Sequence, residues 1–325
     1  MRSSFLDDEV TEHYREYGYV HLKNLLPPSS VLDPLEAELE AILSRVGREL
    51  YVSGRISAPP EGRGLGGRLE HIFSATGDLH VQAFDCALPQ SGVTLDTPFS
   101  TGAALLAALT CAPLLDAAER FVGPEITSAP MQHVRIKLPE RLRGGHAAGG
   151  PTPWHQDAAG LLPRADDTHM ITVWFPLQDV RSDSGCLQVV PGSHQGGVVR
   201  HCVRDSGPGT RGLHIPERLF EVERAVPVPM RRGDVLIFHR FLIHSSMENH
   251  SDVSRWSVDF RLIPTGQWFG REQLPRFVAR SRSCPSDELR DAEVWSGMWL
   301  DARRRLARGQ PIRWHRWSSD DPGCA

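Results

Sequence analysis

Residues 153–160 read PWHQDAAG, which sets His155 and Asp157 two positions apart after a run of glycines and alanines. Successive side chains of a strand project to opposite faces, so residues two apart reach toward the same point. A His-x-Asp pair at a strand end can therefore give two ligands to one ion. In a chain with 15 histidines the same tripeptide also has a plain reading, as polar residues closing a strand. A catalytic metal needs a third ligand, and residues 233–262, GDVLIFHRFLIHSSMENHSDVSRWSVDFRL, offer one.

In that stretch a Gly-Asp turn starts an apolar strand predicted to run to His244, a polar turn follows, and a second strand begins at Arg255. Paired antiparallel, His244 and Arg255 would both lie on the turn side and face one interior. Two histidines and a carboxylate on one face of an ion form the facial triad of non-haem Fe(II) oxygenases, which leaves three positions open for chemistry. Arg255 adds a planar, permanently charged fork matched to a carboxylate, where lysine would give a point charge. The pattern is that of a metal with an acid held beside it. Arg255 has a structural reading too, as a barrel arginine paired with Asp259 on the same face. For Arg261 an ion pair and a place in the pocket are equally open. Ser246, two residues past His244, shares its face.

The elements that must position these residues change character along the chain. The segment DDEVTEHYREYGYVHLKNLLPPSSV reads as a helix closed by Gly18, a strand over Tyr19–Lys23 and a turn at Pro27 and Pro28. From Ser30 as N-cap, Leu32, Leu35, Leu39, Ile42, Leu43 and Val46 recur at spacings of three and four, one face of an amphipathic helix. Residues 53–68 are rich in Gly, Pro and Arg and read as a surface loop, and helix returns in GAALLAALTCAPLLDAAERFVG, broken near Pro113. From about residue 126 the pattern turns to short runs rich in β-branched and aromatic residues: HVRIKL, HMITVWFPLQDV, CLQVVPGSH, DVLIFHRFLIHS and RWSVDFRLIP. This predicts one all-β core, an antiparallel sandwich or barrel with helices packed outside. The expected single domain spans 1–325, with a helical part over about 1–125, the β core over about 126–264 and a helical extension over 265–325. Residues 139–153 and 199–232 read as long loops of the kind that form substrate walls. The Trp/Arg-rich end of the extension is assigned only a packing role.

Composition bounds the function. A chain of 325 residues with 40% hydrophobic and 23% charged residues and a mean hydropathy of -0.31 is an ordinary soluble globular protein. A net charge of -4 and a pI near 6.4 provide no global field for nucleic acid or an anionic membrane. No apolar run reaches membrane-spanning or signal-peptide length, so a cytoplasmic location is expected. Six scattered cysteines without a C-x-x-C pair read as reduced structural thiols. No repeat of solenoid length occurs.

At these same residues the sequence resembles the phytanoyl-CoA dioxygenase family of Fe(II)/2-oxoglutarate-dependent oxygenases. The resemblance spans most of residues 9–262 in four blocks: YREYGYVHLKNLL, WHQD, TVWFPLQDVRSDSGCLQVVPGSH and GDVLIFHRFLIHSSMENHSDVSR. It implies a double-stranded β-helix, the jelly-roll or cupin-like core with flanking α-helices, in which His155, Asp157 and His244 bind Fe(II). It further implies that Arg255 pairs with the C5 carboxylate of the co-substrate 2-oxoglutarate, with Ser246 beside it. Trp174 then matches a position that lines the co-substrate pocket, and His133 and Lys137 lie on the strand where further contacts occur. The implied chemistry consumes O2 and 2-oxoglutarate, releases succinate and CO2, and oxidises an unactivated C–H bond, with desaturation and ring formation as variants. Related halogenases carry a small residue where Asp157 stands, so hydroxylation or a related oxidation is expected rather than halogenation.

Other readings bear on the substrate and on the choice of ligands. Arg141, Arg143, Arg200, Arg204 and Arg211 read as solvated loop charge, and without a broad basic surface a CoA thioester is not the expected substrate. A small organic molecule, an intermediate of specialised metabolism, is. His239 falls on the face opposite His244, and His194 sits in a structural turn. His169, His201, His214, His250 and His315 have no partner at useful spacing and read as surface residues. A cupin-like isomerase or hydrolase would use the same three ligands without needing Arg255, and a non-catalytic barrel would not need the triad intact. Oligomeric state is not legible.

Overall fold

The computed structural model describes residues 8–60, 64–145, 148–205, 211–318 and 322–324, the side chains of Arg204, Asp205, Arg211 and Pro322 excepted. The reading of Arg204 and Arg211 as loop charge therefore falls outside the described residues. Helix α1 (Asp8–Tyr17) stops where Gly18 adopts φ +82°, a conformation that costs glycine nothing, and β1 (Tyr19–Leu22) follows. Helix α2 (Asp33–Val52) buries Leu35, Leu39, Ile42, Leu43 and Val46 as its spacing requires. Its start differs from the expected Ser30 cap: a π-turn over Pro28–Leu32 leads in, and no side chain caps the helix. Helix α3 (Gly64–Thr76) begins inside the stretch expected to be a loop. Helices α4 (Ala103–Leu109) and α5 (Ala112–Val122) divide next to Pro113, which sits in the first turn of α5.

Strand β2 (Glu125–Lys137) is followed by a single turn, α6 (Glu140–Arg143), and then β3 (Ile171–Pro176), β4 (Leu187–Val189), β5 (Cys202–Asp205), β6 (Arg211–His214), β7 (Val226–Val228), β8 (Val235–His239), β9 (His244–Ser246), β10 (Arg255–Pro264) and β11 (Phe277–Ser281). Helix α7 (Ala292–Ala307) is the last α-helix among the described residues. The strands form an antiparallel six-stranded sheet in the order β1-β8-β3-β10-β2-β11, a three-stranded sheet β7-β4-β9 and the hairpin β5-β6. The extension past residue 264 is thus not purely helical, since β11 pairs with β2 at the sheet edge.

Alternation along β10 shows why the two faces of the large sheet differ. Trp256, Val258, Phe260 and Leu262 join the apolar core shared with α2, α4 and α5, while Arg255, Ser257, Asp259 and Arg261 point the other way. A strand buried on both faces ordinarily reads as continuously apolar; β10 instead carries every ionisable residue on its inner face. The inner face packs on the small sheet through Trp174, Leu236 and Phe238 against Leu187, Val189 and Val228. Between Phe260 and Leu262 the β10–β2 register slips. Pro130 lies in the slipped part of β2, where it withholds a ladder N–H, and the bulge faces Arg261.

One expectation fails in an informative way. DVLIFHRFLIHS is not one strand: β8 belongs to the large sheet, β9 to the small one, and residues 240–243 carry the chain between them. His244 and Arg255 therefore do not sit on one hairpin; β9 pairs with β4, and β10 with β2 and β3. They approach one interior from opposite sheets. The thiol expectation fails as well, because Cys202 and Cys324 form a disulfide across 122 residues. Cys86 and Cys186 are buried free thiols. No described helix is long and apolar enough to cross a membrane.

Candidate metal centre

The two histidines are joined by their main chains before their rings meet. His155 N donates to His244 O at 2.9 Å and His244 N to His155 O at 3.0 Å, a hydrogen-bonded antiparallel pair that carries the small sheet beyond β9. Paired residues put their side chains on one face, and the ring centroids lie 4.2 Å apart. Each ring is then oriented by the same device. His155 Nδ1 donates to Pro153 O at 2.9 Å and His244 Nδ1 to Leu242 O at 3.0 Å, in both cases the carbonyl two residues earlier. A carbonyl only accepts, so the proton is on Nδ1 and the Nε2 lone pair of each ring is free for a metal.

Asp157 completes the set: its Oδ1 lies 3.7 Å from His155 Nε2 and 4.0 Å from His244 Nε2. All three donor atoms fall within 4.8 Å of one another, and no other described group of three His, Cys, Asp or Glu side chains does so. Burial pushes His155 down to about 3, with His244 adding to the effect, and burial lowers His244 also, so both imidazoles are neutral at physiological pH. Burial alone would raise the Asp157 carboxyl. The Arg261 guanidinium, by its charge and its hydrogen bonds, holds it instead well below the carboxylate range. Two neutral nitrogen donors and one ionised oxygen donor are the protonation states that a divalent metal requires.

The carboxylate is held by side chains rather than by backbone. Arg261 donates through Nε to Asp157 Oδ2 at 3.1 Å and through Nη2 to Oδ1 at 2.7 Å, and the Thr172 hydroxyl closes on Oδ2. The remaining Arg261 nitrogen, Nη1, reaches Asp259 Oδ1 at 3.0 Å, and Asp259 Oδ2 takes Arg135 Nε at 3.3 Å. Of the two readings left open for Arg261, the ion pair is the one observed, and its partner Asp157 belongs to the candidate donor set. Gln156, between the ligands, points away and is locked to the 197–201 segment. Its N–H donates to His201 Nε2 at 2.9 Å and its Oε1 accepts from Val199 N at 2.8 Å. His201 is no surface residue: it is fully buried, and burial pushes it down to about 4.

Arg255 lies farther along the same inner face, 2% exposed. It donates to Ser257 Oγ at 2.5 Å and Gly185 O at 3.0 Å, its Nε has no partner, and its Cζ sits 5.4 Å from the Trp174 ring. Asp259, the structural partner considered for it, is taken by Arg261 and Arg135 instead. Directly across the ladder from Arg255 stands Lys137, equally buried, whose Nζ donates to Gly150 O at 2.6 Å and Thr152 Oγ1 at 3.2 Å. Burial, and then Arg255, hold the lysine well below its usual range, and burial lowers Arg255 to about 9. Neither cation has an ion-pair partner among the described residues, and like charges opposed in a buried ladder are destabilising without an anion between them. Ser246 Oγ accepts from Thr152 N at 2.7 Å, which leaves the hydroxyl proton to donate. His133 is engaged by Asp85 through Nδ1 at 2.8 Å.

Thr172, Asp259, Arg135 and His201 belong to the site's surroundings; from sequence Asp259 was weighed only as a partner of Arg255 and His201 only as a surface residue, while Thr172 and Arg135 were not singled out. Arg135 had a signal, since it lies between His133 and Lys137 at period two. Thr172 and His201 had none, because cross-strand and loop partners are fixed only by the fold. Of the loop arginines, Arg143 proves buried and paired with Glu248, while Arg141 reaches Asp252 at 3.1 Å. A cleft of about 1020 Å³ elsewhere, between β1 and β7, contains none of the three ligands.

Comparison with known proteins places this geometry. A family model described as phytanoyl-CoA dioxygenase (PhyH) matches residues 14–257. The phytanoyl-CoA dioxygenase domain-containing protein 1 of Rattus norvegicus is 34% identical over 158 residues, covering 48% of this chain and 51% of that protein. The 1-deoxypentalenic acid 11-beta-hydroxylase of Streptomyces arenae is 33% identical over 130 residues, covering 38% and 44%. The chain thus spans about half the length of the curated relatives it matches. Among solved structures, one titled "non-heme monooxygenase; ThoJ apo" superposes with a TM-score of 0.55 at 17% identity, over 93% of this chain and 100% of that one, a likeness of fold.

Proposed function

The chain belongs to the phytanoyl-CoA dioxygenase family of Fe(II)/2-oxoglutarate oxygenases, and from that premise we propose that it hydroxylates, or otherwise oxidises, an unactivated C–H bond of a small organic molecule. The overall reaction would convert substrate, 2-oxoglutarate and O2 to oxidised product, succinate and CO2. The observation that carries the co-substrate reading is the buried Arg255–Lys137 pair, two cations without a carboxylate, on the same inner face as the His155–Asp157–His244 donor set. A dicarboxylate supplies the missing charge. The large and small sheets, facing each other across that interior, support the reading of a double-stranded β-helix core.

Fe(II), held by His155, Asp157 and His244, supplies the redox chemistry that couples decarboxylation of 2-oxoglutarate to C–H oxidation. The remaining work falls to the chain's own side chains. Arg255 binds the C5 carboxylate as a fork, Ser246 donates its hydroxyl proton to the same group, and Lys137 adds a point charge. Trp174 covers the guanidinium and keeps water from it. Arg261 keeps Asp157 ionised and fixed, so the carboxylate fills a metal position that a halide would otherwise need, which favours oxygenation over halogenation. An isomerase or hydrolase built on the same three ligands has no use for two buried cations at this spacing.

Anaerobic addition of Fe(II) and 2-oxoglutarate is the test. A weak visible charge-transfer band should appear in the native protein, vanish in His155→Ala and weaken in Arg255→Ala. In air, succinate should form from 2-oxoglutarate. A protein that yields neither band nor succinate is not a 2-oxoglutarate oxygenase.

A further inference from the structure

The turn that follows the metal ligand Asp157 is a single 3-10 turn over residues 157–160, with few backbone bonds of its own: Ala159 N to Gln156 O at 3.0 Å and Leu161 N to Ala158 O at 3.1 Å. One turn of 3-10 helix has poor hydrogen-bond geometry and leaves carbonyls unpaired at its end. Here three consecutive carbonyls are each taken by a side chain from beyond the family match. Trp317 Nε1 donates to Ala159 O at 3.0 Å, Arg271 Nη2 to Gly160 O at 2.7 Å and Arg316 Nε to Leu161 O at 3.3 Å. Arg316 also forks onto Asp166, with Nη1 at 2.6 Å from Oδ2. Arg271 takes φ +53° to make its contact, an uncommon conformation for a side-chain-bearing residue, and stacks 4.9 Å from the Trp314 ring.

The tail is fastened at its far end as well. Cys324 is bonded to Cys202, Arg218 Nη2 donates to Gly323 O at 2.8 Å, and a Cβ on Gly323 would lie 1.5 Å from Arg200 Nη1. Cys202 follows His201, which accepts from the N–H of Gln156, the residue between two ligands, and packs 5.3 Å from Trp317. The disulfide therefore joins the two segments that grip the 155–161 stretch from either side.

We propose that residues 310–318, together with Cys324, act as a positioning strap for the metal-ligand turn, with Trp317 and Arg316 as its contacts and the Cys202–Cys324 disulfide as its latch. The strap touches neither metal donor atoms nor co-substrate groups. It acts by holding the backbone that carries Asp157, while Arg261 and Thr172 hold the carboxylate itself. Loosening the strap should weaken metal binding without destroying it, an outer-contact effect of about tenfold or more in affinity. The inference rests on His155, Asp157 and His244 being metal ligands.

The test is anaerobic titration of the full chain with Co(II), followed by its visible absorption, in native protein, Trp317→Phe, Cys324→Ser and the control Arg304→Ala. Arg304 pairs with Asp301 on α7, away from the turn. Trp317→Phe keeps the ring and the latch but removes the N–H; Cys324→Ser opens the latch. Weaker Co(II) binding by about tenfold and an altered band shape in both, with Arg304→Ala native-like, are the expected results. Native affinity and spectrum in both folded variants would overturn the strap. Should Cys324→Ser not fold, Trp317→Phe, which retains the disulfide, decides alone. Native protein that binds no Co(II) overturns the ligand assignment itself, and the strap with it.

Discussion

Arg261 forks onto Asp157, Nε to Oδ2 at 3.1 Å and Nη2 to Oδ1 at 2.7 Å, both residues nearly sealed from solvent. A buried carboxylate that must stay ionised to bind metal thus has its countercharge built in. Arg261→Ala would leave two buried carboxylates, Asp157 and Asp259, without their shared cation. Removing one partner of a buried pair costs about 3–5 kcal/mol, and metal affinity should fall by roughly 10–100-fold. Arg261→Lys should recover part of the stability but less of the affinity, because a point charge cannot span both oxygens. Urea unfolding and Co(II) titration measure the two quantities separately; equal loss in both variants would show that fork geometry is unimportant.

The Arg255–Lys137 pair makes a prediction of opposite signs. Without ligand it is a buried repulsion, so Arg255→Met should raise the melting temperature of the metal-free protein. With 2-oxoglutarate the order should reverse: the native protein gains stability and the variant does not. Succinate release should require about 30-fold more 2-oxoglutarate, or still more, in the variant, as expected when about 2 kcal/mol or more of a charge-paired contact is lost. Thermal scans with and without the co-substrate check this directly.

Acid should act through Asp259. Burial would raise this carboxyl, but Arg135 and Arg261 hold it down at about 2 against an ordinary value near 3.8. A depressed carboxyl contributes stability that is fully present above its unfolded value and is lost as pH falls toward the folded one. The native protein should therefore lose stability from about pH 4.5 downward. Asp259→Asn should begin less stable at pH 6 and show a shallower decline. Urea midpoints between pH 6 and 3 test the sign, and an unchanged slope would remove Asp259 from the account.

His201 offers a fourth measurement. His201→Phe keeps a ring beside Trp317 but withdraws the acceptor for the Gln156 N–H, leaving a buried donor unpaired at a cost of about 1–3 kcal/mol. Because Gln156 lies between two ligands, Co(II) affinity should fall along with stability. His201→Gln, which can offer an acceptor again, should recover part of both.

How far the sequence carries depends on the range of the interaction involved. The face of α2 was readable from Leu35 to Val46 because a helix repeats within its own length. The three candidate donors could be picked out because His-x-Asp and His244 each sit in a local pattern, and the structure brings their donor atoms within 4.8 Å of one another. The break at residues 240–243 was not readable, since RFLI is as apolar as the strand before it and period two names a face without naming a sheet. For the same reason Arg261 stayed undecided: Asp157 lies 104 residues away, and only cross-sheet packing pairs them. The Cys202–Cys324 bond spans 122 residues in a chain with four other cysteines, so spacing does not select it.

The three donors are not held alike. His155 and His244 are set by reciprocal main-chain bonds and by carbonyls two residues back. The Asp157 carboxylate is held by the side chains of Arg261 and Thr172. The centre therefore has one half set by its own stretch of main chain and one half set by side chains from across the sheets. Divergence of inner-face residues would retune the oxygen donor long before it disturbed the nitrogens.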